Sequence, residues 1–340
     1  MSSFPHILLQ WYAENGRALP WRQTKDPYAI WLSEVILQQT RIEQGRPYWE
    51  RFMKRWPTVN DLAEATEDEV LREWQGLGYY SRARHLHEAA RQIVARGNFP
   101  KTLDEIKKLK GVGDYTAAAI ASIAFDIPAA VVDGNVYRVL SRYYDIDTPI
   151  NTTEGKKLFA ALANSLLPEK EAARYNQALM DFGALQCTPA SPQCLSCPLA
   201  DTCMALRKGE VEQRPVKRKT LKIKERHLTY IYIRCKEQVA MRRRGPGDIW
   251  QGLWEPVLLY DDNCECMDPP SAERLLKRSV VIRKGVKHIL THRVILAEFY
   301  LLETNEYPML PADYQWIPEE TLDDYAKPRL IELLLNELNK

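Results

Sequence analysis

The apolar residues of this chain change their spacing just after Cys203, and that change limits the fold more than any other feature. Up to about residue 205 they recur three or four positions apart, in segments near 5–15, 27–44, 46–55, 67–75, 81–96, 102–109, 114–124, 134–143, 154–166 and 170–184. That is the spacing of helices with one face in a core. Stretches such as "RWPT", "RGNFP" and "FDIP" punctuate them. From about residue 225 the texture is alternating or β-branched: "LTYIYIRC", "QVAMRRR", "LWEPVLLY" and "HILTHRVILAEFYLL", with helical patterns at "SAERLLKR" and "KPRLIELLLNEL". Between the two lies "RKGEVEQRPVKRKTLKIKER", basic and with almost nothing to bury. The sequence therefore predicts a mainly α domain over 1–206, a basic linker over 207–224 and an α+β domain over 225–340. A chain of 340 residues is long enough for two domains.

Composition excludes little else. Hydrophobic residues are 45% and charged residues 27%, so the chain is globular. A net charge of +2 neither requires nor forbids a nucleic-acid partner. No apolar run approaches the roughly 20 residues that span a bilayer. "MSSFPHILLQ" has no basic stretch before its apolar one, unlike a signal peptide. A cytoplasmic address is expected, nucleoid-associated in a bacterium, with no membrane partner.

Four of the seven cysteines, Cys187, Cys194, Cys197 and Cys203, fall in "CTPASPQCLSCPLADTC" with the spacing C-x6-C-x2-C-x5-C. In a reducing compartment this reads as a metal centre rather than disulfides. Tetrahedral zinc and a 4Fe-4S cluster both fit; one C-x2-C knuckle with two wider gaps favours iron–sulfur. The cluster has no obvious open position or acid–base partner, so a structural role is expected. Cys235, Cys264 and Cys266 read as packing or surface thiols.

"LKGVGDYTAAAIASIA" reads as helix, Gly-Val-Gly turn, helix. Gly111 and Gly113 would let backbone approach something closely, and the second helix's free N–H groups would suit a phosphate. A plain tight turn fits equally, until "KKLK" and the basic linker are counted. "WQGLGYYSRARHLH" sets Tyr79 and Tyr80 beside Arg82 and Arg84: aromatics that could wedge into stacked bases with arginines on phosphates, or tyrosines buried at a corner. Gln38 and Gln39, ending the opening helix, could read base edges or simply cap it.

Two carboxylates carry the chemistry. Glu34 sits in "WLSEVILQQT", a helix apolar nearly all round. Burial there raises its pKa and makes it a general acid, unless a buried partner satisfies it. Asp133, in "PAAVVDGNVYRVLSR", stands where a helix begins. It is an N-cap by preference, and an anion fixed there could serve as base, nucleophile or cation stabiliser. One neutral acid with one fixed anion is the pairing that cleaves glycosidic bonds. An N-glycosidic bond needs the same two things.

On "LKGVG", "VVDGNVYRVL" and the cysteine spacing, residues 1–206 resemble the endonuclease III superfamily of helix-hairpin-helix DNA glycosylases. "LPWR", "WLSEVILQQTR", "GLGYYSRAR" and "VDGNVYRVLSR" look like its adenine DNA glycosylases of the MutY type, which remove adenine mispaired with 8-oxoguanine. The resemblance implies that Glu34 protonates adenine at N7 and that Asp133 steadies the sugar cation, with Tyr115 and Asn135 in the same pocket. Arg17, Leu19, Trp21 and Arg22 would shape that pocket, and Gln39 and Tyr79 would enter the duplex opposite the flipped base. The cysteines would hold a 4Fe-4S cluster. Tyr115 stands where strand-cutting members place a lysine, so no Schiff base forms by that route and a monofunctional enzyme is implied.

The second domain looks Nudix-like, yet the R-E-x-x-E-E cluster of a hydrolysing Nudix domain is missing. The resemblance makes it the reader of 8-oxoguanine, with Thr291 and His292 on the reading loop "LTH", where the family usually has Phe-Ser-His. The expected partner is duplex DNA carrying A:8-oxoguanine or A:G, bound by a monomer. Two rivals remain: a related glycosylase acting on thymine mismatches or oxidised pyrimidines, and a non-catalytic iron–sulfur DNA-binding redox sensor.

Overall fold

The computed structural model describes residues 3–218, 223–263 and 266–338. Helices run at α1 Phe4–Asn15, α2 Pro27–Ile36, α3 Ile42–Arg55, α4 Val59–Glu64, α5 Glu67–Glu73, α6 Ser81–Arg96, α7 Leu103–Ile106, α8 Asp114–Phe125, α9 Gly134–Tyr143, α10 Thr153–Ser165, α11 Ala172–Leu185 and α12 Met204–Lys208. Then come β1 Lys224–Cys235, β2 Gln238–Arg243, β3 Trp254–Asp261, α13 Pro269–Lys277, β4 Val280–Ile289, β5 Arg293–Thr304, β6 Tyr314–Pro318 and α14 Arg329–Leu338. A mainly helical half followed by an α+β half is what the spacing predicts.

Two compact units form: Met1–Ala63 with Glu88–Lys219, and Glu64–His87 with Thr220–Lys340. In the helical unit α8 is buried from Thr116 through Ile123 and α2 from Tyr28 through Ile36. The two pack on each other, and α11 packs on α1, α8 and α9. Helices buried on all sides form the centre of a globular layer, and partly apolar ones surround them.

The predicted 27–44 helix is two helices. α2 stops at Ile36, a turn spans 37–40, and α3 begins at Ile42. Gln39 takes a left-handed φ of 60°, which no helix tolerates. A Cβ on Gly45 would come within 2.7 Å of Leu37, so α3 folds back tightly on the end of α2. Both helices face one core, and the apolar spacing therefore runs through the break. The basic stretch from 207 is also less free than expected. Asp145 pairs with Lys208 at 2.6 Å and with Arg214 at 2.9 Å, and Asn151 exchanges two 2.9 Å bonds with the Arg218 backbone.

The second unit is a six-stranded sheet in the order β4-β5-β1-β3-β2-β6. β1 and β5 pair in parallel, Leu228 opposite Ala297, and the other neighbours are antiparallel. The expected single run 288–302 is split by a turn at Leu290–His292. The segment 64–87, expected with the helical domain, folds with the sheet. Glu67 pairs with Arg243 at 2.7 Å, and Gln75 Oε1 accepts the Lys327 backbone N–H at 3.0 Å. Cys235 and Cys266 are buried, and Cys264 lies outside the described residues. Among the described residues no helix is long and apolar enough to cross a membrane.

Candidate active site

α2 starts cleanly: Asp26 caps it, accepting the Tyr28 N–H at 3.0 Å, and Pro27 occupies its first turn. Two turns on, Glu34 is 8% exposed. The partner across the helix pair is Tyr115 on α8, whose hydroxyl donates to Glu34 Oε2 at 2.7 Å. Asp133 caps α9, taking the Val136 N–H on Oδ1 and Asn135 Nδ2 on Oδ2, both at 2.8 Å. These four side chains line one cavity of about 330 Å³, together with Arg17, Leu19, Trp21, Arg22, Gln177 and Met180. Trp21 is braced edge-on by Trp49 at 5.5 Å between ring centres. Residues from five separate segments thus meet in one small chamber, within the size range of ligand sites.

Burial pushes Glu34 above the ordinary glutamate range; the Tyr115 hydroxyl and Arg22 oppose that rise, and the Asp133 charge adds to it. Asp133 is also raised, again by burial first, against the Val136 and Asn135 donors. The cap donors therefore oppose the effect of burial without cancelling it. Two carboxyls facing one cavity resist ionising together. Asp133 accepts two N–H groups at the positive end of α9, whereas among the described residues Glu34 accepts one neutral hydroxyl. Donors to an anion favour the anion, so the proton belongs on Glu34. Burial, followed by the two carboxylates, holds the Tyr115 hydroxyl well above its usual value, and it stays a neutral donor.

Asp181, on α11, escaped the sequence reading. It is fully buried and accepts from Arg17 N at 3.0 Å, Arg17 Nε at 2.9 Å and Arg17 Nη2, and from Arg22 Nη1 at 2.7 Å and Nη2 at 2.8 Å. Burial would raise it; the bonds from Arg22 and then Arg17 more than offset that and leave it below the usual range. Its signal was present: one carboxylate in the apolar run "QALMDFGAL".

The four cysteines line a second, narrow cavity of about 30 Å³ beside Arg142. Among the described residues no three His, Cys, Asp or Glu side chains converge tightly enough to hold a single metal ion. Burial pushes the Cys197 thiol up to about 11 and raises Cys194 and Cys203 as well. Thiolates there need a bound cation. Arg142 donates to the carbonyls of Thr188 at 2.7 Å, Val211 at 2.9 Å and Pro189 at 3.1 Å, fixing the loop's shape. Arg138, one turn earlier on α9, bonds Cys187 O at 2.7 Å and Asn135 Oδ1 at 2.8 Å. The cysteine loop and the partner of Asp133 therefore share one guanidinium.

At the hairpin, Gly111 has φ +72°, a left-handed position that favours glycine. Gly113 is extended at φ −91°, and a Cβ there would meet nothing within 4 Å. Gln39 is exposed at a left-handed φ and lies off the cavity wall, while Gln38 Nε2 bonds Thr116 Oγ1 at 3.1 Å.

In the sheet unit Tyr79 is 47% exposed at φ 48°, a conformation that costs a bulky residue about 1–3 kcal/mol. Its hydroxyl meets Thr291 Oγ1 in the β4–β5 turn, where His292 is also exposed rather than part of a strand. Its neighbours differ from expectation. Tyr80 and Arg82 are buried, Arg82 lies 5.0 Å over the Trp74 ring, and Arg84 bonds Gln251 O at 2.6 Å. Arg82 braces the corner from inside it, and half-buried Arg84 is tied to the same corner.

Residues 32–165 match the HhH-GPD superfamily of base excision DNA repair proteins, and residues 229–337 match the NUDIX domain family. The chain is 37% identical over 255 residues to the adenine DNA glycosylase of Buchnera aphidicola subsp. Baizongia pistaciae, a match covering 74% of this chain and 72% of that one. It is 42% identical over 224 residues to the human adenine DNA glycosylase, covering 63% of this chain and 41% of the human one. Among solved structures it is similar to a thermostable thymine-DNA glycosylase, at 31% identity and a TM-score of 0.56, over 60% of this chain and 95% of that one. The chain belongs to the adenine DNA glycosylase family.

Proposed function

We propose that this protein hydrolyses adenine from duplex DNA where adenine faces 8-oxoguanine or guanine, and leaves the strand uncut. One observation carries the reading: Glu34 and Asp133, brought by α2 and the start of α9, open onto the same cavity with Tyr115 donating to Glu34. The target atoms are stacked inside a duplex, so the nucleotide must first be extruded. In the cavity the Glu34 carboxyl hands its proton to adenine N7. The bond from N9 to the sugar then breaks, its electron pair leaving with the base. The Asp133 carboxylate stabilises the oxocarbenium ion until water adds at C1′ and gives its proton to the Glu34 carboxylate, which restores the acid. Tyr115 supplies a hydroxyl where a strand-cutting member supplies an amine, so no Schiff base forms by that route.

Other roles follow from chemistry. Gln39 and Tyr79, each exposed on a strained backbone, would fill the gap left in the duplex. The open face at Gly111 and Gly113 would take a phosphate. Cys187, Cys194, Cys197 and Cys203, which line one cavity, would hold a 4Fe-4S cluster, which would cross-link the loop rather than act on substrate. The Nudix-like domain would bind rather than hydrolyse, reading 8-oxoguanine through Thr291 and His292. The protein would act as a monomer in the cytoplasm.

A panel of duplexes with A:8-oxoguanine, A:G, G:T and oxidised-pyrimidine pairs tests the proposal by single-turnover base release. Adenine loss from the first two is expected; release only from G:T would replace the reading. The thymine alternative has one observation behind it, the 31% identity to the thymine-DNA glycosylase. Thymine offers no N7 for Glu34 to protonate.

A further inference from the structure

Asp181 is the most heavily bonded carboxylate near the cavity, and the mechanism above does not use it. Two of the three arginines that line the cavity, Arg17 and Arg22, converge on it. Arg17 and Arg22 bracket the segment "RALPWR", whose Leu19 and Trp21 form the cavity wall between them. Arg22 makes a two-pronged bond to Asp181, at 2.7 and 2.8 Å. It is also the cation felt by Glu34, and each influences the other's ionisation.

A guanidinium beside a general acid is a hazard. If Arg22 turned to Glu34 and paired with it, the carboxylate would be stabilised and its proton lost. We infer that Asp181 is a positioning residue that holds Arg22 away from Glu34, keeping the proton of the general acid in place while presenting Leu19 and Trp21 to the base. The inference rests on the proposed role of Glu34 and deepens it. The groups facing Glu34 are few. Tyr115 comes from α8, Asp133 from the start of α9, and Arg17 and Arg22 from the segment after α1. α11 brings uncharged Gln177 and Met180, and Arg41 and Glu43 sit where α3 begins. Among these, Arg22 is the cation whose Coulomb pull on Glu34 is resolved.

The test is the pH dependence of single-turnover adenine release by the full-length protein. In Asp181→Asn the basic limb should move to lower pH by about one unit or more, the size expected from a newly paired cation. Its rate should recover towards wild type as the pH is lowered. Asp181→Glu should restore the wild-type limb, and Arg22→Met in the Asp181→Asn background should reverse the displacement. If Asp181→Asn does not fold, Arg22→Met alone decides: its limb should move to higher pH. An unmoved limb with a uniformly lower rate would mean a structural role only and overturn the inference, as would a downward shift in Arg22→Met. A wild-type protein that releases no adenine would instead sink the functional reading.

Discussion

Two cavities of the same size, about 330 Å³, move buried carboxyls in opposite directions: Glu34 is raised, and Asp248 and Asp261 are lowered. In the helical unit Glu34 leans on a tyrosine hydroxyl, and burial raises its pKa. In the sheet unit Asp248, Glu255 and Asp261 meet Arg226, Arg242 and Arg244. Burial there also acts to raise Asp248, but the Arg244 and Arg226 guanidiniums overcome it and hold the carboxyl at about 2. Asp261 is likewise lowered, chiefly by Arg226 working against burial. Burial alone therefore does not make an acid. What decides is whether the carboxylate's partners are cations or neutral donors. Asp181 is the intermediate case, a salt-bridged carboxylate set beside the Glu34 cavity.

The contrast can be broken most visibly by neutralising one carboxylate in each cavity. Glu34→Gln should lower single-turnover adenine release by about 10²–10⁴, the usual worth of a general acid, and leave the fold intact. Glu255→Gln should act on stability. Glu255 is fully buried and accepts from Tyr230 at 2.8 Å, Arg242 at 2.9 Å and Arg244, so the loss should be about 3–5 kcal/mol in chemical denaturation followed on the sheet unit. A cost below about 1 kcal/mol would show that the arginines find other partners.

The pH dependences should run in opposite directions. Asp248 has a depressed folded value, so its contribution is full above its ordinary value of 3.8 and is lost as pH falls towards about 2, amounting to about 2 kcal/mol. Glu34 has a raised folded value. Its contribution is full below 4.5 and disappears as pH rises through the folded value. Asp181, in the same helical unit, has a depressed value and loses stability in acid, so each contribution is isolated by comparing the wild type with Glu34→Gln in one unit and with Asp248→Asn in the other; contributions of the same sign would contradict the contrast.

Smaller effects test the packing that holds the site. A Cβ on Gly183 would sit 2.6 Å from Asn135 Cβ, so Gly183→Ala should displace the partner of Asp133 and destabilise by about 1–3 kcal/mol, with slower adenine release. At the hairpin, Gly111→Ala should cost about 1 kcal/mol of stability because of its left-handed backbone. Gly113→Ala should spare stability and weaken DNA binding; unchanged binding would remove the hairpin from the interface.

Much of this was legible before any coordinates. Glu34 stood out as a lone carboxylate in an apolar helix and Asp133 as a helix cap, and both roles depend on local sequence. Asp181 carried the same signal as Glu34, yet its meaning depends on Arg17 and Arg22, more than 150 positions away. Periodicity also could not tell that α2 stops at Ile36, because α3 faces the same core. Nor could it tell that the segment from Glu64 to His87 folds with the sheet, since an amphipathic helix does not declare which core it covers. The buried state of Arg82 was hidden for a similar reason: an arginine stacked on Trp74 reads in sequence like one awaiting a phosphate.

The most direct measurement is a site-resolved titration of the two cavity carboxyls, by ¹³C-labelled glutamate and aspartate NMR assigned with Glu34→Gln and Asp133→Asn. Glu34 should titrate above its ordinary 4.5 and hold its proton to higher pH than Asp133 does. A Glu34 that titrates at or below 4.5, or an Asp133 that keeps the proton while Glu34 ionises, would contradict the account.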